Sequence, residues 1–69
     1  MALTEAEKLI VRGAKIIGAD RNDAAGILMA LRDPEQQEDL LEWMDENLET
    51  ATPSDLIGIT MAIVAGKNS

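Results

Sequence analysis

The chain contains no cysteine, histidine, tyrosine or phenylalanine, and Trp43 is its one aromatic residue. Without cysteine, neither a disulfide nor a thiolate metal site can stabilise the fold. That composition suits a reducing cytoplasm, which is the expected location. Without histidine, the side chain that most often moves protons near neutral pH is missing. Nucleophilic chemistry would fall to a serine or threonine beside a base, and Thr52 and Ser54 read better as residues that start a helix. No catalytic set and no cofactor motif emerges, so the expectation is a protein that is not an enzyme. With aromatics almost absent, the core has to be built from Leu, Ile, Val, Met and Ala.

Positive charge is scarce in the second half. Residues 1–32 hold five bases and four acids, whereas residues 33–69 hold one base and nine acids, which accounts for the net charge of −7. Such a surface repels nucleic-acid phosphate and anionic lipid. Long apolar runs are missing too. The longest uncharged stretch, Leu56 to Gly66, has eleven residues, against the ~20 needed to span a bilayer. The start, MALTEAEKLIVRG, carries acids where a secretory leader would be basic, and no signal peptide is expected. The 69 residues allow one domain at most, taken here as a single helical domain over 1–69. A domain of this size hides only roughly 60% of the surface its unfolded chain exposes, and its core supplies about 3–5 kcal/mol net.

What is present reads as four helices, near residues 4–17, 22–32, 34–48 and 53–65, forming an all-α compact bundle of short helices. TEAE at residues 4–7 fits a capping box, and Gly18 offers a left-handed stop. Asp20 or Asn22 can cap the second helix, whose residues Ala24 to Leu31 are all Ala, Gly, Ile, Leu or Met. A helix apolar all round is expected to be central and buried on most sides. Asp33, Pro34 and Gln36 open the third helix, and Thr52, Pro53 and Asp55 the fourth, with Gly66 expected to end it and Lys67 to favour its negative end. IGITMAIV is also strand-like by propensity, but the Thr-Pro-Ser-Asp entry and glycine exit favour helix. Interior glycines Gly13, Gly26 and Gly58 each cost about 1 kcal/mol against alanine, so close packing is expected at all three. The expected core comprises Leu9, Ile10, Ile17, Ile27, Leu28, Leu31, Leu40, Leu41, Met44, Leu48, Leu56, Ile59 and Ile63. The uncharged fourth helix is expected to be surrounded by the rest of the domain.

Four groups of residues invite a functional reading. Carboxylates at i,i+4, such as Glu38 and Glu42, could share a hard cation, but a solvated helix face has the same pattern, and no metal site is assigned. The second and third helices superficially resemble a helix-turn-helix, yet the third carries eight acids from Asp33 to Glu49 and no base, which sets it against DNA. That same carboxylate row, with Glu38, Glu42, Asp45 and Glu49 along it, could imitate phosphate spacing and occupy a basic groove on another protein. Trp43 is either core or a half-exposed anchor, core filling being favoured. Apolar Ile57, Met61 and Val64, with Gly58, Ala62 and Ala65 on a narrow side that would admit a close helix neighbour, form the remaining candidate surface. The leading expectation is a non-enzymatic interaction module that binds an unidentified protein or itself, as a monomer or weak homodimer, away from membranes. The alternative is an acidic nucleic-acid mimic that inhibits a DNA- or RNA-binding protein.

Overall fold

The computed structural model describes residues 2–68, with side-chain surroundings through residue 66. Among the described residues there are four helices and no strand: α1 (Glu5–Ile17), α2 (Arg21–Ala30), α3 (Pro34–Asn47) and α4 (Pro53–Asn68). Local hydrogen bonding explains where they begin. The Thr4 hydroxyl accepts from the Glu7 amide at 3.2 Å while the Glu7 carboxylate accepts from the Thr4 amide at 2.8 Å. Thr52 and Asp55 repeat that exchange at 3.1 and 3.0 Å. Each pair satisfies two amide donors that the first helical turn cannot. Of the two candidate caps for α2, Asp20 is the one used: its carboxylate accepts from the Asp23 amide at 2.8 Å. Pro34 and Pro53 each occupy a first helical position, where a missing N–H costs nothing.

The breaks are equally local. Gly18 has φ +104°, a left-handed conformation that L side chains resist. Around it the Ala19 amide donates to the Ala14 carbonyl at 2.9 Å and the Gly18 amide to the Lys15 carbonyl at 3.1 Å, the paired bonds of a Schellman ending. At the corner between α2 and α3, Leu31 is wholly buried, and its carbonyl accepts from the Gln37 side-chain amide at 2.9 Å. Gln37 is itself buried. A polar residue at a core-facing position is tolerated because it satisfies a backbone group that would otherwise be stranded away from water.

The helices pack in a ring. α1 lies against α3, α3 against α4, α4 against α2, and α2 against α1, with a weaker contact across the diagonal between α1 and α4. α2 and α3, though consecutive, do not pack on each other, so the helix-turn-helix likeness stops at sequence order. The Cα radius of gyration is 10.8 Å, against about 11 Å for a compact chain of this length. Ile10, Ala14, Ile17, Ala24, Ile27, Leu31, Leu40, Met44 and Leu56 form the buried centre, and Leu28, Leu41, Trp43, Leu48, Ile59, Ile63 and Val64 pack around it half-buried.

The ring overturns several expectations for one reason. Around so shallow a centre, even a helix with two or three neighbours keeps an outer side. Leu9, expected in the core, is 49% exposed. In α2 only Ala24 and Ile27 are buried, whereas Ala25, Gly26, Met29 and Ala30 face outward. α4 is not surrounded: Ile57, Gly58, Met61, Ala62 and Ala65 are all exposed, Met61 at 68%. Gly66 does not end α4, which continues to Asn68; the expected role of the Lys67 side chain lies outside the described side chains. Of the three interior glycines, only Gly13 is closely packed. A Cβ there would come within 2.9 Å of the Met44 sulfur, whereas nothing lies within 4 Å of one built at Gly26 or Gly58.

Gly26→Ala and Gly58→Ala should each stabilise the fold by up to about 1 kcal/mol, and Gly18→Ala should destabilise it by about 1–2 kcal/mol through its left-handed backbone. Thermal melts read the sign directly, at about 4–8 °C per kcal/mol for a chain this short. Gln37→Leu should cost about 1–3 kcal/mol by leaving the Leu31 carbonyl unsatisfied, and Gln37→Glu should cost more at neutral pH, because a carboxylate cannot donate to that carbonyl. Part of the Gln37→Glu loss should return as the pH falls and the side chain regains a proton to donate. Denaturant titration at neutral and acidic pH separates the two variants.

Candidate interaction surfaces

α1 and α3 each carry two apolar rows, and only one row of each faces the core. On α1, Ile10, Ala14 and Ile17 point to the centre, while Leu9 and Ile16 turn outward along a second line, with buried Gly13 between them. On α3, Leu40 and Met44 point inward, while Leu41 and, at the C-cap just past the helix, Leu48 follow the second line, half-buried. The two outer lines enclose an open groove of about 530 Å³, lined by Leu9, Gly13, Ile16, Leu41, Met44 and Leu48. Gly13 and Met44 make its floor, because the absent glycine side chain lets the methionine sulfur lie close over α1.

The groove's two rims differ in charge. Arg12 stands on the α1 side, and Glu38, Glu42 and Asp45 stand on the α3 side. Arg12 forms no ion pair with any of the three among the described residues, whereas Lys8 pairs with Glu5 at 3.7 Å. Glu38–Glu42 and Glu42–Asp45 are like-charge neighbours four and three residues apart, an arrangement that costs a helix about 0.2–0.5 kcal/mol per pair. Of the expected carboxylate row, the structure therefore brings together Glu38, Glu42 and Asp45. Glu49 is exposed but lies in the turn after α3 rather than on the helix. Among the described residues no three carboxylates converge closely enough to hold a metal ion.

A second apolar surface lies across the bundle on α4. Ile57, Gly58, Met61, Ala62 and Ala65 are exposed there, while Val64 is half-buried against the core. Ile57 and Met61 also border a smaller hollow against Gly26 and Ala30 of α2. Trp43 is half-buried and packs on the core, on the side of α3 away from the groove. The Asn47 side-chain amide donates to the Trp43 carbonyl at 2.9 Å, closing the last turn of α3.

Sequence reasoning did not find the groove. Leu9, Leu41 and Leu48 were assigned to the core, and Ile16, 60% exposed, to no surface at all. A signal was present: the apolar arc of α1 is wider than the ~100° stripe that one core contact uses. No helix of the described residues is long and apolar enough to cross a membrane. No family model matches the chain, and neither the curated proteins nor the solved structures supply a match.

Proposed function

We propose that this chain is a small non-enzymatic module of the cytoplasm that binds a partner protein or weakly associates with itself. The observation that carries the reading is uncovered apolar surface. Leu9, Ile16, Met29, Ile57 and Met61 are among the side chains that contribute to the exposed area. Apolar patches grouped in this way mark interaction sites more often than scattered single residues do. The lack of histidine and cysteine, and the use of Thr4, Thr52 and Asp55 as helix caps, leave little for catalysis to work with.

Self-association belongs to α4, whose outer side bears no charge between Leu56 and Gly66 and so brings two acidic copies together without opposed carboxylates. Sedimentation velocity from micromolar to millimolar protein should show a weak dimer that Ile57→Glu or Met61→Glu abolishes while helicity is kept. A wild-type chain that stays monomeric throughout that range removes the self-association form of the proposal.

Glu38, Glu42 and Asp45, exposed and without an ion-pair partner among the described residues, favour a second reading, the nucleic-acid mimic. It expects salt-sensitive capture of DNA- or RNA-binding proteins. Capture should disappear when Glu38, Glu42, Asp45 and Glu49 become glutamine with the fold intact; indifference to those four changes rejects mimicry.

A further inference from the structure

Resting on the interaction-module reading, we infer that the α1/α3 groove receives a basic amphipathic helix of a partner protein. The spacing of the walls sets the first requirement. Leu9 and Ile16 are seven residues apart, as are Leu41 and Leu48. Each pair therefore spans two helical turns, about 10.5 Å at 1.5 Å per residue. An amphipathic helix laid in a hydrophobic groove is read by anchors at i, i+3 or i+4, and i+7, which cover the same two turns. The middle anchor falls over Gly13 and Met44, which lie between the two walls. The occupant thereby takes the third place beside two helices that already pack against each other.

The rims set the second requirement. Three carboxylates face one guanidinium across the groove, and none of the four is neutralised within the described residues. Lysine or arginine on the α3-facing flank of the incoming helix meets Glu38, Glu42 and Asp45, and also relieves the like-charge pairs of α3. An acidic residue on the other flank meets Arg12. An acidic or neutral helix would leave these repulsions in place. A second copy of this chain fits poorly here, because each copy brings a charge of −7.

The test uses the full chain and three labelled synthetic peptides. One is an amphipathic helix with leucines at i, i+4 and i+7 and lysines on one flank. The second replaces those lysines with glutamate, and the third scrambles the first so that its charge stays but its apolar row is lost. Fluorescence anisotropy should show binding of the first peptide alone. Ile16→Glu and Leu9→Glu, at positions already exposed, should each weaken it by roughly tenfold or more, as loss of a central anchor does. Met61→Glu, on the other side of the bundle, should leave it unchanged. Joint replacement of Glu38, Glu42 and Asp45 by lysine should move the preference to the glutamate peptide. Equal binding of the scrambled peptide, insensitivity to Ile16→Glu and Leu9→Glu, or no binding of the lysine peptide would each overturn the inference. A concentration-dependent dimer that Met61→Glu disrupts would in those cases leave the broader module reading standing, so the two fail separately.

Discussion

The four largest side chains withdrawn completely from water come one from each quarter of the chain: Ile10, Leu31, Leu40 and Leu56. Their mutual burial is the constraint on which the bundle rests. Each such side chain contributes about 1.5–3 kcal/mol, in a domain whose net stability is only about 3–5 kcal/mol. The margin is small because four helices of ten to sixteen residues have little interior to share. Beyond those four and the few buried residues packed on them, the side chains are half-covered at best, and the surfaces available for recognition are the by-product of the same shortage.

Given so small a centre, the backbone has to be directed by local chemistry. Reciprocal bonds at Thr4–Glu7 and Thr52–Asp55 launch two helices, and Asp20 launches a third. Gly18 turns the chain out of α1, and Gln37 secures the corner at Leu31 from the following helix. Thr60, buried in α4, directs its hydroxyl to the Leu56 carbonyl of its own helix at 2.8 Å, so it needs no partner from elsewhere. Each device is satisfied within a few residues in sequence, which leaves the long-range contacts almost wholly apolar.

This division explains what could be read from the sequence. Helix starts were legible because Thr4, Asp33–Pro34 and Thr52–Pro53 act on their immediate neighbours. The core line Ile10–Ile17, Leu31, Leu40, Met44 and Leu56 was legible because periodicity reports which side of a helix is apolar. Periodicity does not report how many neighbours arrive to cover that side. Leu9, Ile16, Met29 and the outer side of α4 were misjudged or missed on that account, since an apolar residue awaiting a partner looks the same as one already packed. Gln37 was missed for the converse reason: its burial depends on the Leu31 carbonyl, a backbone group that sequence does not display. The groove arises from two such outer lines meeting, so it belongs to tertiary arrangement and not to either helix. The carboxylates on its rim could be seen beforehand, but not the hydrophobic walls beside them.

The contact between Met44 and Gly13 bears on how such a groove would choose among visitors. A thioether on an unbranched stem has three rotatable bonds and a polarizable end, and here its sulfur and terminal methyl are the atoms closest to the glycine. Pressure from above can be absorbed by swivelling that tip, with the backbones of α1 and α3 staying where they are. A pliant base tolerates leucine, isoleucine or methionine alike. Selection among ligands would accordingly reside in the electrostatic fringe, and side-chain shape would count for little.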